Sequence, residues 1–429
     1  MSIVIALVVF SVIILFHEFG HFLLAKMHGI VVTEFSLGMG PRLLSTVKGD
    51  TRYSLKLLPF GGSCMMLGED DAEDKEGSFN SKGVWARISV IAAGPIFNFI
   101  LAFVLAVIII SVVGYDPATT YGVEDGSPAA EAGLQDEDLI TEFQGEHVDI
   151  GRDVNTYLSL YGVEAGDEVS MTYERDGVEN SITFTPASVE RYLLGFTYNQ
   201  NAESVEITEV SKNQPLDQAG VKAGDVIVAI DGNTVTDAAS LQAYLEAHPL
   251  ENREVEVTYL RDGLDYKVNV TPKMTSTANL GFYCNYGRVK TDALGVLKYS
   301  AVELKYWIKT TVKSLGLLIT GKFGIKDMSG PVGVVDYIGE TYEASRSEGV
   351  LMTWMNMFNM IILLSANLGV MNLLPIPALD GGRLVFLVIE AIRGKAINRE
   401  AEGMVHFVGL MLLMVLMVFV MYNDISKLF

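Results

Sequence analysis

Four long apolar runs constrain this chain more than any other feature. Ser2 to Ala25 is apolar except for His17, Glu18 and His21. Ile88 to Val113 and Val350 to Leu374 carry no charge, and Met404 to Tyr422 is broken only by His406. About 17–25 apolar residues suffice for a helix to cross a hydrocarbon core about 30 Å thick. Inside such a core the backbone must satisfy its own hydrogen bonds, so these runs predict helices. The first run has no basic leader and no small-residue cleavage site, which predicts a retained helix rather than a signal peptide.

Half of the residues are hydrophobic and the mean hydropathy is +0.32, yet the net charge is −21. The charge is local. The stretch from Pro117 to Lys290 holds about 30 acidic and about 11 basic residues, so nearly all the excess lies there. A soluble acidic insert within a membrane protein accounts for both facts, and its charge serves to keep it soluble. Its acidity argues against nucleic acid as a partner. Orientation follows from the basic residues. Lys26, Arg42, Lys48, Arg52, Lys56, Lys82 and Arg87 lie between spans one and two. Arg383, Arg393, Lys395 and Arg399 lie between spans three and four. The positive-inside rule puts both loops in the cytoplasm and both termini, with the insert, outside. Cys64 and Cys284 then fall on opposite sides and are expected to be free thiols.

The insert is an internal repeat. Ser127-Pro128-Ala129-Ala130-Glu131-Ala132-Gly133-Leu134 runs through Asp138-Leu139-Ile140 to Gly145. Eighty-seven positions on, Gln214-Pro215-Leu216-Asp217-Gln218-Ala219-Gly220-Val221 runs through Asp225-Val226-Ile227 to Gly232. Each copy has an Arg-Asp-Gly turn, at 175–177 and 261–263, flanked by alternating strand patterns. Each closes with Leu-Gly-Phe: Leu194, Gly195, Phe196 and Leu280, Gly281, Phe282. The repeats resemble circularly permuted bacterial PDZ domains. That resemblance makes the Leu-Gly-Phe segments peptide grooves, whose backbone N–H groups can receive a peptide C-terminus or an added strand. Ordinary buried strands are the alternative. After the repeats, Lys298, Lys305, Lys309 and Lys313 are spaced as on an amphipathic helix, which would lie on the membrane surface or pack against the repeats.

The chemistry begins at His17-Glu18-Phe19-Gly20-His21. Residues four apart share a helix face, so both imidazoles can hold one Zn²⁺, with Glu18 placed as general base. Ionisable groups within a span cost about 2.5–3.5 kcal/mol each unless paired or functional, which argues against an incidental cluster. Zinc needs a third protein ligand. Asp380 offers one, in Asn372-Leu373-Leu374-Pro375-Ile376-Pro377-Ala378-Leu379-Asp380-Gly381-Gly382, directly after span three. Depth supports the pairing. His17 lies about 24 Å from the outer end of span one, and span three ends just before Asp380 at the same face. Tyr53 to Leu58, Gly61-Gly62 and Ser63 to Leu67 read as a hairpin. At membrane depth its edge can pair with an unwound substrate strand; a cytoplasmic surface loop is the alternative.

HExxH in the first span, N-x-x-P-x-P-x-L-D-G after the third and PDZ-like repeats between them resemble the site-2 protease family, closest to the bacterial regulator-of-sigma-E protease group. Phe35-Ser36-Leu37-Gly38-Met39-Gly40-Pro41 and Gly94-Pro95-Ile96-Phe97-Asn98 match its accessory motifs. The resemblance implies an intramembrane zinc metalloprotease with one Zn²⁺ per chain on His17, His21 and Asp380, and Glu18 as catalytic acid/base. It implies substrate contacts at Asn367 and Asn372, with Pro375 and Pro377 shaping the loop and Gly61 and Gly62 beside the substrate. Single-pass proteins such as anti-sigma factors, and signal-peptide remnants, become the expected substrates. The PDZ domains would exclude substrates not yet trimmed by a first protease. The expected location is a bacterial inner membrane, with the active site near the cytoplasmic face.

The expected fold is a multi-pass α-helical membrane protein with about four spans, a membrane-associated β-hairpin and two α+β PDZ-like domains between spans two and three. Its parts are 1–114, the PDZ domains 115–200 and 201–286, a connector 287–349, and 350–429. Two rivals are a non-catalytic PDZ scaffold and a metal transporter. The intact metal motif opposes the first. The second would want polar residues lining several spans, and spans two and three offer almost none.

Overall fold

The computed structural model describes the chain except residues 1, 70–74, 199–203, 286, 325–327, 347, 396 and 429. It forms two compact units, one of residues 1–117 with 287–429 and one of residues 118–286. Among the described residues, four helices are long and apolar enough to cross a membrane, and they coincide with the four apolar runs.

The chain opens with α1 (Ser2–Met27), followed by strands β1 (Val32–Lys48) and β2 (Thr51–Met66), then α2 (Val84–Val113). The hairpin differs from expectation. Tyr53–Leu58 and Ser63–Met66 do not pair with each other. Both flank Phe35–Leu37 of β1, from its two sides: Phe35 is in register with Tyr53 and Cys64, Ser36 with Ser54 and Ser63. The tip is Gly49-Asp50, and Gly61-Gly62 lies inside β2. The reason is the Gly38–Pro41 segment, where Gly38 and Gly40 take φ of +85° and +86°. Glycine alone adopts that conformation freely, so β1 bends and its two halves pair separately. Arg42 clamps the bend with two 2.8 Å bonds to buried Glu34, which holds that carboxyl down at about 2.

In the second unit, the first lobe holds β3 (Thr120–Tyr121), α3 (Pro128–Glu131), β4 (Leu139–Phe143), β5 (Glu146–His147), α4 (Gly151–Tyr161), β6 (Val169–Arg175) and β7 (Val178–Phe184), followed by β8 (Ala187–Leu193). The second holds β9 (Phe196–Tyr198), β10 (Val205–Val210), α5 (Pro215–Gln218), β11 (Val226–Ile230), β12 (Asn233–Thr234), α6 (Ala238–Ala247), β13 (Val255–Arg261) and β14 (Leu264–Val270), followed by β15 (Lys273–Asn279) and β16 (Tyr283–Cys284). One sheet runs β5-β4-β6-β7; the other runs β14-β13-β11-β10-β9 with β12 on β11.

The Leu-Gly-Phe segments are exchanged. Leu194 is in the second core with Val205, Ile227 and Val257, and Phe196 packs against it. Phe282 is in the first core with Phe143, Val169 and Phe184, and Leu280 packs against it. β16 pairs with β3, and β8 pairs with β15 from Ala187 to Leu193. The second core is therefore inserted within the first. The tandem boundaries 115–200 and 201–286 end at residues 200 and 286, which fall outside the described residues. The two closing segments are nearly interchangeable in sequence, so the repeat pattern cannot say which core each completes.

After the insert come α7 (Ala293–Ile319), α8 (Pro331–Arg346), α9 (Val350–Leu373), α10 (Asp380–Arg393) and α11 (Arg399–Leu428). Helix α2 is the hub, packed on α1, α7, α9 and α10. Ala6, Val9, Ile13, Leu101, Leu105, Ile109, Ile338 and Ile362 form the main core. The amphipathic α7 packs on α2 and α9, with Leu304 and Trp307 against that core. Buried Asp424 of α11 caps α8, accepting from the Gly330 and Gly333 N–H groups at 3.0 and 2.9 Å. Helices α8 and α10 are short and mixed in composition, which hid them from a reading by apolar span. Neither cysteine forms a disulfide, and both are buried.

Each lobe holds one buried carboxylate. Asp138 and Asp225, 1 % and 2 % exposed, each take two bonds of 2.6–2.7 Å from Arg175 and Arg261. Losing one leaves an arginine without its charge partner. Asp138→Ala and Asp225→Ala are each expected to cost about 1.5–3 kcal/mol, read as a lowered first transition in thermal unfolding of the detergent-solubilised protein, with metal content unchanged.

Candidate metal centre

The crossing of α1 and α2 sets the site. A Cβ at Gly20 would lie 2.8 Å from the Ala93 carbonyl carbon and 3.0 Å from Phe97 Cβ. A Cβ at Gly94 would lie 2.8 Å from His17 Cε1 and closer still to His21 Nε2. Glycine on both helices lets the backbones approach, as small residues do between membrane helices. Both imidazoles thereby lie directly on α2. Pro95 follows; its ring opens the preceding turn. In that turn the Val90 carbonyl accepts from His21 Nδ1–H at 2.9 Å. That bond fixes the tautomer and leaves the Nε2 lone pair facing inward.

Asp380 arrives from the other half of the chain. The Leu374–Leu379 loop turns from α9 into α10, and Asp380 is the first residue of α10. Gly381 and Gly382 press on the loop's backbone: a Cβ there would lie 2.6 Å from the Leu373 carbonyl carbon and 2.5 Å from Ile376 O, respectively. Ala378 takes a φ of +77°, a strained value for a residue with a Cβ. Its N–H donates to Nδ1 of His406 on α11 at 2.9 Å. A Cβ on Gly409 would lie 2.7 Å from Pro377 O. Helix α11 thus clamps the loop that presents Asp380. The sequence signal was present, since His406 alone interrupts the fourth apolar run, but its partner is not local.

The three groups converge. His17 Nε2 lies 3.3 Å from His21 Nε2 and 3.2 Å from Asp380 Oδ2, and His21 Nε2 lies 3.3 Å from the same oxygen. Asp380 Oδ2 is buried and makes no hydrogen bond among the described residues. Three donor atoms at such spacing match three corners of a tetrahedron around zinc: at Zn–N and Zn–O of about 2.0–2.1 Å the corner-to-corner distance is about 3.3–3.4 Å. The donor set, two imidazoles and a carboxylate, also suits zinc.

Glu18 lies beside this cluster. A Cβ on Gly62 of β2 would lie 3.0 Å from Glu18 Cγ and 3.2 Å from Ser36 O. Cys64 also lies beside Glu18. Strand β2 therefore runs along the site at Gly62–Cys64, with β1 on its far side. Gly61, with φ of +81°, turns the strand just before it. Asn372 sits half-buried at the end of α9. Asn367 is engaged: its Oδ1 accepts from Thr311 of α7. Pro375 and Pro377 frame the loop. The Leu-Gly-Phe segments belong to the other unit. Gly195 and Gly281, with φ of +84° and +77°, pass close to Gln214 and Ser127.

A pair of histidines, a carboxylate and an adjacent glutamate, held among apolar helices, define a metal-dependent hydrolase of the membrane. The model of peptidase family M50 matches residues 5–416. Among proteins of known annotation, the chain is 33% identical to the zinc metalloprotease RasP of Geobacillus kaustophilus, over 100% of this chain and 98% of that protein. It is 32% identical to the regulator of sigma-W protease RasP of Bacillus subtilis, over 99% of this chain and 98% of that protein. Among solved structures, the HtrA3 PDZ domain bound to a phage-derived ligand aligns with 21% of this chain and 93% of its own, at 19% identity and a TM-score of 0.18. The chain belongs to peptidase family M50, the site-2 protease family, and is a zinc metalloprotease.

Because the Gly94 position faces both imidazoles, Gly94→Ala is expected to weaken zinc binding at least tenfold. Gly403→Ala, whose Cβ meets nothing within 4 Å, is expected to leave it unchanged. Zinc content after dialysis against a chelator of known affinity checks both.

Proposed function

We propose that this chain is an intramembrane endopeptidase that cuts single-pass membrane proteins within or beside their spans. The observation that carries this reading is the convergence of His17, His21 and Asp380 among helices apolar enough to cross a bilayer. In this reading the three hold one zinc ion per chain. An ion held there would supply Lewis acidity toward a carbonyl and toward water near neutral pH. Glu18 takes the proton of the attacking water and returns it to the leaving amine as the peptide bond breaks.

A peptide bond within a helix is shielded, so the substrate must unwind first. The Gly62–Met66 segment of β2 pairs on one side with β1. Its other edge lies by Glu18, and strand addition there holds an extended substrate. Asn372 supplies further donors and acceptors. Asn367 joins it once Thr311 releases it. Pro375 and Pro377 keep the loop between them rigid.

In this reading the metal centre lies near the cytoplasmic face of a bacterial inner membrane and both lobes lie outside, which the positive-inside pattern supports. The lobes are then PDZ-like domains, with Leu194, Gly195, Phe196 and Leu280, Gly281, Phe282 as their grooves, acting as peptide binders or as a filter against untrimmed substrates. The name of the Bacillus subtilis relative, a regulator of sigma-W, supports membrane-bound anti-sigma factors as substrates, with signal-peptide remnants as a second group.

The test is cleavage of a fluorescent single-span substrate by the detergent-purified protein. Glu18→Gln is expected to slow cleavage by at least about 100-fold, with zinc content unchanged. Chelation is expected to abolish cleavage and added zinc to restore it. Parental cleavage by Glu18→Gln would rule Glu18 out as the proton carrier.

A further inference from the structure

The two imidazoles of the cluster are supported differently, and the difference assigns a role to Asn98. His21 has a backbone acceptor at its Nδ1. His17 has none. Its Nδ1 faces the side-chain amide of Asn98 on α2 at 3.2 Å. Asn98 is fully buried, at 0 % exposure. Its Oδ1 has no hydrogen-bond partner while Nδ2 is the atom turned to the ring. The Asn98 backbone is fixed separately, its carbonyl accepting from Ser365 Oγ of α9 at 2.9 Å. A half turn of the amide would exchange the two ends, setting Oδ1 on His17 Nδ1 and Nδ2 in the position Oδ1 now holds.

The two amide orientations correspond to two imidazole tautomers. With Nδ2–H donating to Nδ1, His17 must carry its proton on Nε2, where it points at His21 Nε2 and Asp380 Oδ2. With Oδ1 turned to the ring, the proton lies on Nδ1 and the Nε2 lone pair faces the cluster. Only the second arrangement makes His17 a metal ligand, because a ligating histidine gives its other N–H to an acceptor.

We propose that Asn98 is the positioning residue for His17, accepting the His17 Nδ1–H through Oδ1 and so committing Nε2 to zinc. Asn98 acts through His17 without touching the metal. This rests on the ligand set proposed above.

The experiment measures zinc affinity by competition with a chelator, and melting of the metal-free protein, for the parent, Asn98→Asp, Asn98→Leu, Ser365→Ala and His17→Ala. Asn98→Leu keeps the volume and removes the acceptor; its affinity is expected to fall by about 10–100-fold. Asn98→Asp presents only acceptor oxygens and is expected to hold zinc at least as tightly as the parent. Ser365→Ala, which loosens the α2–α9 contact alone, is expected to stay within about twofold in affinity even where its melting point falls. Parental affinity in Asn98→Leu overturns the proposal, as does a tenfold loss in Asn98→Asp. Should Asn98→Leu fail to fold, Asn98→Asp decides alone. Parental affinity in His17→Ala would instead overturn the ligand set, a separate failure.

Discussion

Two imidazoles and two carboxylates among membrane helices are stable only if they share partners, since each costs several kcal/mol when isolated in hydrocarbon. The rest of the membrane unit is arranged around this constraint. The α1–α2 crossing is close because Gly20 and Gly94 have no side chain there. Asp380 reaches the imidazoles because Gly381 and Gly382 let α10 begin against the backbone of its own loop. The strained Ala378 persists because α11 holds its N–H through His406. A single metal ion would neutralise what these contacts bring together.

A second constraint is the backbone of β1 and β2. Strands at membrane depth expose polar groups that lipid cannot satisfy. The doubled register answers this for Phe35–Leu37 and Tyr53–Leu55, which have neighbours on both sides. Two edges remain, one at Arg42–Lys48 and one at Gly62–Met66, and the second lies at Glu18. An edge that would be a liability elsewhere is, in the proposed function, the place where an extended substrate adds.

The legible parts of this chain are those encoded by short spacing. His17, Glu18 and His21 announce themselves by helical period, and the L-D-G segment by its place after an apolar run. The four spans were legible for the same reason, since uninterrupted apolar length is a local property. What was not legible is non-local. Nothing near Tyr53 says that Phe35 will separate it from Ser63; the bend depends on Gly38, Gly40 and the Glu34–Arg42 pair together. Nothing in Leu194-Gly195-Phe196 tells it from Leu280-Gly281-Phe282, so the exchange between cores could be seen only in the packing. Helices α8 and α10 were missed because their stability comes from Asp424 and from the α2 surface rather than from their own composition.

The support of the histidines shows how this division extends to chemistry. His21 uses a carbonyl that any residue at position 90 would supply, so no sequence signature marks it. His17 uses a side chain, and Asn98 therefore had to be specified, within a motif readable only as Gly-Pro and an asparagine three residues later. A carbonyl can only accept, which fixes His21 in one tautomer at all times. An amide offers an acceptor as well as donors, and in the proposed arrangement the acceptor leaves His17 Nε2 free to bind metal. The two ligands thus reach the same tautomer by different means, one through main chain that any sequence supplies and one through a side chain that had to be chosen.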